Sequence, residues 1–172
     1  MALNLRYYGD PILRRRASDV TAFDPELRSI VEDMVETMRR EEGVGLAAPQ
    51  VGFEMRLLVA LKMADPDDEQ AEPIVLVNAE VVERSLETWE YEEGCLSIPG
   101  IRGDVTRPLR VTIRYRDLDG VLQTLDADGM FARVLQHEID HTEGRLFIDY
   151  LSTAEKALLK PRLKKLADRL SD

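Results

Sequence analysis

The residues best suited to chemistry are the H-E-x-x-H sequence His137-Glu138-Ile139-Asp140-His141, which lies in a segment predicted to be helical. Positions i and i+4 of an α-helix lie on one face, so these two imidazoles can bind one metal ion. Glu138 can then reach a water on that metal without becoming a ligand itself. The pattern often arises by chance, and a buried histidine is usually a hydrogen-bonded core residue. Both histidines of this chain fall in the one motif, however, which favours metal binding.

A catalytic site of this kind takes three protein ligands and keeps one position open, so a third ligand is required. Phe147 stands where a metzincin has its third histidine. Glu155, the candidate for a thermolysin-like site, lies in the predicted terminal helix. Cys95 is the only cysteine of the chain, and a thiolate is a strong ligand for Zn²⁺ or Fe²⁺. A lone cysteine is more often a small core residue, but beside an incomplete two-histidine site we favour Cys95 as the third ligand.

The composition indicates a globular protein with one domain over residues 1–172 and a net charge of −10. The acidic balance argues against sequence-specific nucleic-acid binding, and no apolar run is long enough to span a membrane. The basic cluster near the N-terminus follows the apolar residues, which is not the order of a signal peptide. Because a single cysteine cannot form an intramolecular disulfide, a reducing cytoplasm is the expected location.

Three helices are predicted to hold these residues in place. The first covers residues 24–41, with Asp24 as its cap and an apolar stripe at three- and four-residue steps. The second begins at Asp128, runs through the H-E-x-x-H motif and ends near Gly144. The third covers residues 153–170, and Pro161 is expected to kink it.

Strands are predicted between these helices, at residues 55–61, 74–82, 85–91, 105–115 and 121–126, with a hairpin turn at 117–120. Residues 43–52 and 94–103 are interrupted by glycine and proline and are expected to be irregular, and 64–73 form an acidic surface loop of no assigned function. The expected fold is therefore α+β, with mostly antiparallel sheets around a central helix that carries the motif, and with an N-terminal and a C-terminal helix.

Three segments of this chain together resemble the signature motifs of the peptide deformylase family. They are GVGLAAPQ at residues 43–50, EGCLS at residues 93–97 and QHEIDH at residues 136–141, in the family's order. The histidine motif alone is shared with many metalloproteases, whereas the other two are highly specific. The resemblance covers essentially the whole chain, which is thereby identified as a member of the family.

The resemblance implies a role for each matching residue. Cys95, His137 and His141 match the metal ligands, and Glu138 matches the general acid/base. Gln50 and the backbone N–H of Leu96 match the groups that stabilise the oxyanion. The substrate-binding residues implied by the resemblance are Val44, Gly45, Tyr91, Glu93, Gly94, Arg102, Met130 and Val134, of which Val44, Tyr91, Met130 and Val134 would form the methionine pocket.

The implied reaction is hydrolysis of the N-formyl group from the initiator methionine of nascent polypeptides, with release of formate. The implied cofactor is one divalent ion, Fe(II) in the cell, with Zn, Ni or Co able to replace it in a purified sample. The implied partners are formylmethionyl nascent peptides, with a transient contact to the ribosome. Two alternatives stay open on the residues alone, a metalloendopeptidase with a different third ligand and a non-catalytic protein with a structural metal.

Overall fold

The structure, a computed structural model, describes residues 1–62 and 70–169. The described helices are α1 (Pro25–Arg40), α2 (Gly129–Thr142) and α3 (Thr153–Arg169). Asp24 caps α1 as predicted, since its side chain accepts a hydrogen bond from the N–H of Leu27 at 3.0 Å. Asp128 occupies the N-cap position of α2, but its side chain makes no capping hydrogen bond. Residue 170 of the predicted last helix lies outside the described residues.

The described strands form two antiparallel sheets. The strands are β1 (Gly45–Ala47), β2 (Leu57–Leu61), β3 (Pro73–Arg84), β4 (Thr88–Cys95), β5 (Ile98–Pro108), β6 (Arg110–Arg116) and β7 (Leu122–Asp128). The larger sheet has the order β1-β2-β3-β6-β7, and β4 pairs with β5 in the smaller one. The predicted hairpin turn joins β6 to β7, and the α+β class with antiparallel sheets is confirmed. Residues 64–69 of the predicted acidic loop lie outside the described part of the chain.

Three predicted boundaries were wrong because pairing with distant strands decides them. Residues 45–47, expected to be irregular, form β1 by pairing with β2 in the register Gly45 to Ala60. Residues 98–103, also expected to be irregular, belong to β5, which pairs along β4. The single strand predicted at 105–115 is two strands. The first strand, β5, ends at Pro108, and β6 of the larger sheet begins at Arg110. Leu109 lies between them, and its N–H donates to the carbonyl of Glu87 at 2.9 Å.

Helix α2 lies at the centre of the fold, between the two sheets. One face packs on the larger sheet through Leu135 and Ile139, which belong to one apolar cluster with Leu58, Leu76 and Ile113. The remaining face carries the histidines, and it is buried as well. Because packing on both faces fixes its position, α2 is a rigid support for a chemical site.

No helix within residues 1–62 and 70–169 combines the length and the apolar character needed to cross a lipid bilayer.

Candidate metal centre and active site

The H-E-x-x-H motif lies in the last two turns of α2, where it directs both imidazoles to one point. The Nε2 atoms of His137 and His141 are 3.3 Å apart. Only 9% of His137 and 1% of His141 is exposed. Burial lowers the pKa of His141 well below its usual range, which keeps this imidazole in the neutral form that binds a cation.

Cys95 reaches the same point from the end of β4. Its Sγ atom lies 3.3 Å from Nε2 of His141, and the donor atoms of Cys95, His137 and His141 all lie within 4.8 Å of one another. The register between β4 and β5 shifts at Gly94 and Cys95, where the chain turns tightly into β5. Cys95, His137 and His141 come from two elements, and the fold brings together the three ligands predicted from the sequence.

The spacing of these three donors suits a metal ion. Two nitrogens that each lie roughly 2.0–2.1 Å from one tetrahedrally bound ion are about 3.3 Å apart, and a sulfur at about 2.3 Å would be about 3.6 Å from such a nitrogen. The two Nε2 atoms are 3.3 Å apart, and the 3.3 Å from Sγ of Cys95 to Nε2 of His141 is within about 0.3 Å of the second value. One thiolate and two imidazoles form a donor set that Zn²⁺ and Fe²⁺ favour. The residues present therefore fit a divalent metal ion in both geometry and chemistry.

Glu93 determines which nitrogen of His137 faces the metal position. One carboxylate oxygen lies 2.9 Å from Nδ1 of His137, which leaves Nε2 directed at the other donors. Arg107 donates two hydrogen bonds to this carboxylate, at 2.7 and 2.9 Å. Burial raises the pKa of Glu93, but the hydrogen bonds from His137 and Arg107 outweigh burial and hold the pKa at about 2. A carboxylate that orients a histidine ligand is a frequent partner of metal sites.

Glu93 is predicted with the substrate-binding residues, and it lines the same cavity as they do. Only 6% of the residue is exposed, and both carboxylate oxygens are engaged. This arrangement adds a role in orienting His137.

Sequence reasoning missed the arginines that surround Glu93. Arg133 on α2 donates to Glu93 at 2.5 Å and to the carbonyl of Val105 at 2.7 Å. Arg107 also donates to Asp140 at 2.8 Å. Arg133 could have been recognised as an arginine within the otherwise apolar residues 130–135, because a buried guanidinium must have acidic partners. Arg107 lies in a polar segment and carries no such signal.

Glu138 lies beside the donor cluster with one oxygen unused. Only 4% of the residue is exposed, and its Oε2 atom has no hydrogen-bond partner among the described residues. Burial raises the pKa of Glu138 to about 7 against the opposing effect of His137. The positive charge of a bound metal ion would act in the same direction as His137, lowering this pKa and favouring the carboxylate form. Such a group can accept and return a proton near neutral pH.

Gln50 is held with its amide nitrogen toward Cys95. Its Oε1 atom accepts a hydrogen bond from the N–H of Ala47 at 2.9 Å. Its Nε2 atom donates to Oγ of Ser97 at 3.2 Å and lies 3.5 Å from Sγ of Cys95. The short 3₁₀ helix Ala48–Val51 places Gln50 in this buried position, with 1% of the residue exposed.

A cavity of about 560 Å³ opens beside these groups. Every predicted site residue except His141 lines the cavity. Tyr91 and Arg102 lie at its more exposed side, and Nε of Arg102 donates to Glu92 at 2.7 Å. Residues that line the cavity and were not predicted are Glu42, Gly43, Glu92, Ile98, Gly100, Ile101 and Arg133.

Comparison with known proteins points to one family. The family model described as polypeptide deformylase matches residues 2–157. A peptide deformylase of Cytophaga hutchinsonii is 45% identical over 162 residues, covering 93% of this chain and 88% of that protein. The solved structure of peptide deformylase from Thermus thermophilus has a TM-score of 0.90 at 38% identity, covering 98% of this chain and 99% of that one. The Plasmodium falciparum enzyme gives a TM-score of 0.90 at 38% identity, with 98% and 97% covered.

Proposed function

The chain belongs to the polypeptide deformylase family, and on that premise we propose which of its residues carry each part of the reaction. The chain is a metal-dependent hydrolase that removes the N-formyl group from nascent polypeptides. The observation that carries the proposal is a cluster of three metal-binding donors, two of which line one cavity together with a buried carboxylate and a buried amide. The test is formate release from a formyl-methionyl peptide, with the unformylated peptide as the control for peptide-bond cleavage.

Cys95, His137 and His141 would hold the metal, with Glu93 orienting His137. When bound, the metal supplies Lewis acidity, which lowers the pKa of a water to about 7 and polarises the formyl oxygen. Iron(II) is the metal we propose in the cell, and Zn, Ni or Co can occupy the same donors in a purified sample. Metal analysis of protein purified without oxygen tests this identity, and a stoichiometric ion other than iron in that sample would contradict it.

Glu138 acts as the acid/base group in this proposal. Its buried carboxylate takes a proton from the attacking water and returns it to the nitrogen of the departing amine. Two features of the structure support this role, the unpartnered Oε2 atom and a pKa that burial raises to about 7.

The Gln50 amide and the Leu96 N–H stabilise the negative charge that develops on the formyl oxygen. The N–H of Ala47 holds the oxygen of the Gln50 amide, so the nitrogen is the end that faces the donors. A fixed donor of this kind needs no reorganisation as charge develops, which is the basis of oxyanion stabilisation. Leu96 directly follows Cys95 and lines the same cavity.

The substrate backbone pairs with β1, and the methionine side chain enters the cavity. Among the described strands, β1 lies at the edge of the larger sheet, and an edge strand can pair with an added strand. Val44, Tyr91, Met130 and Val134 offer the apolar surface that a thioether side chain requires, and Gly94 and Arg102 lie at the rim. A formyl hydrogen fits where a larger acyl group would collide, so acetylated chains should be rejected by shape.

The metalloendopeptidase and the structural metal protein receive no comparable support. We also propose, on the ground of the nascent-chain substrate alone, that the enzyme works in the cytoplasm and contacts the ribosome transiently. Co-sedimentation with translating ribosomes at low ionic strength tests the contact. Equal recovery in the pellet with and without ribosomes would contradict it.

Replacing Gln50 by alanine should lower kcat more than it raises KM. The amide bonds best to the charged oxygen of the transition state, so its loss removes stabilisation made mainly there. Removal of one oxyanion donor typically costs about 10²–10³ in rate. Steady-state kinetics and the melting temperature should be measured together. Normal kcat in a destabilised variant would instead assign Gln50 to the packing of its turn.

Replacing Gly45 by alanine should reduce kcat through Glu138. A Cβ atom at position 45 would lie 2.7 Å from Oε1 and 2.9 Å from Cγ of Glu138. The φ angle of Gly45 is not positive, so alanine suits the strand and the contact is the main cost. We expect kcat to fall about 10²-fold, because small misplacements of a reacting group have effects of that size. Metal content should stay at the wild-type level, and unchanged kcat would show that Glu138 can move without loss.

A further inference from the structure

The segment that precedes α1 passes beside the active site, and its backbone is bonded to two of the motif segments. We call residues 3–18 the N-terminal strap. The N–H of Arg6 donates to the carbonyl of Gln50 at 2.7 Å, and the N–H of Tyr8 donates to the carbonyl of Ser97 at 2.8 Å. Alternate residues of an extended chain present their N–H groups to the same side, which explains the spacing of two. The strap therefore bridges two segments that are distant in the sequence.

The two residues that the strap bonds are already joined to each other. Nε2 of Gln50 donates to Oγ of Ser97 at 3.2 Å, and both residues are buried, with 1% and 0% exposed. Three hydrogen bonds and the covalent chain from Arg6 to Tyr8 thus form a closed loop through Gln50 and Ser97. Gln50 and Ser97 are each held by two of these bonds, which restrict them more than a single bond would.

We propose that Tyr8 is a positioning residue for the hydrolysis, and that its backbone N–H holds Ser97 and, through Ser97, the amide of Gln50. The proposal rests on the role of Gln50 given under Proposed function. Stabilisation of a developing charge depends on the position of the donor, so a displaced Gln50 amide slows the reaction without preventing substrate binding. If the Tyr8 N–H is removed, the buried carbonyl of Ser97 loses its hydrogen bond to the strap. An unpaired buried carbonyl is costly, which favours a shift of the turn that carries Ser97.

The local turn allows a substitution that removes only the N–H. The N–H of Asp10 donates to the carbonyl of Tyr7 at 2.9 Å, and Gly9 has a φ of 105°. Tyr8 and Gly9 are therefore the central residues of a turn with the positive φ of a type II turn at its second position. Proline is favoured at the first central position of such turns. Tyr8→Pro should therefore keep the turn and delete the donor.

The test compares three metal-loaded variants by steady-state kinetics on a formyl-methionyl peptide. Tyr8→Pro lacks both the aromatic side chain and the backbone N–H, whereas Tyr8→Ala lacks only the aromatic side chain. Leu3→Pro removes another N–H of the strap, whose acceptor is Oγ1 of Thr37 on α1, away from the site. We expect kcat of Tyr8→Pro to be about 10-fold or more below that of Tyr8→Ala, with similar KM, and kcat of Leu3→Pro to stay near wild type.

A double variant shows whether the effect passes through Gln50. In the Gln50→Ala background, Tyr8→Pro should change kcat by no more than about 2-fold, because residues that act as one unit are not additive. Equal kcat in Tyr8→Pro and Tyr8→Ala, or a full effect in the double variant, would overturn the proposal. If Tyr8→Pro does not fold, Ser97→Ala decides, because it removes the hydroxyl through which Tyr8 would act on Gln50. Its kcat should fall about 10-fold with similar KM, and normal kcat would overturn the proposal. Normal kcat in Gln50→Ala alone would instead be a failure of the role of Gln50.

Discussion

Cys95→Ala should release the metal and abolish formate production. Two imidazoles without the thiolate hold a divalent ion weakly, and we expect metal affinity to fall by more than about 100-fold, since even the loss of a residue behind a ligand can cost 10–100-fold. Activity should fall in proportion to the metal lost. The measurement is metal content and formate release on the same sample, purified without oxygen.

Cys95→Ser provides the matched control for this variant. Serine keeps the size of the side chain but replaces the thiolate with a hydroxyl group, which is a poor ligand. If Cys95 only fills space, serine should retain metal and activity while alanine shows a small loss of stability. If Cys95 is a ligand, both variants should be inactive. Full metal content with normal turnover in either variant would remove Cys95 from the metal site.

Glu138→Gln should keep the metal and lose turnover. The amide preserves volume and hydrogen bonding but cannot accept the proton, and general acid/base catalysis contributes about 10²–10⁴ in rate. The effect should fall on kcat, because the ligands Cys95, His137 and His141 are unchanged. Metal content and kcat measured on one sample separate the two roles.

Two results would contradict the role of Glu138. Loss of the metal from Glu138→Gln would make this residue a ligand or a folding residue. Turnover within a few-fold of wild type would mean that another group is the base. Gly45→Ala is a useful comparison, since it should lower kcat through the same carboxylate while leaving its chemistry intact.

Local signals were sufficient to predict the parts of this molecule that depend on neighbours in the sequence. Asp24 and the apolar stripe located α1, and the spacing of His137 and His141 placed both imidazoles on one face of α2. Cys95 could be selected because the chain contains no other cysteine and no third histidine. The supply of ligands was thus limited enough for composition to complete the site.

The features that sequence reasoning missed depend on contacts between distant segments. The β1 strand exists because Gly45–Ala47 pairs with β2, and no local pattern encodes that partner. The position of Glu93 between Arg107 and His137 follows from packing β4 and β5 against α2. The strap contact from Tyr8 to Ser97 joins backbone atoms, which leave no signature in side-chain types.

The most direct test of a metal-dependent deformylase at Cys95, His137 and His141 is formate release from a formyl-methionyl peptide, measured while the metal-free protein is titrated with Fe(II) under anaerobic conditions. The account predicts that activity rises linearly and stops rising at one ion per chain. It also predicts no release of formate without metal and no cleavage of the unformylated peptide. Undiminished formate release from the metal-free protein, or no release from the fully loaded protein, would contradict it.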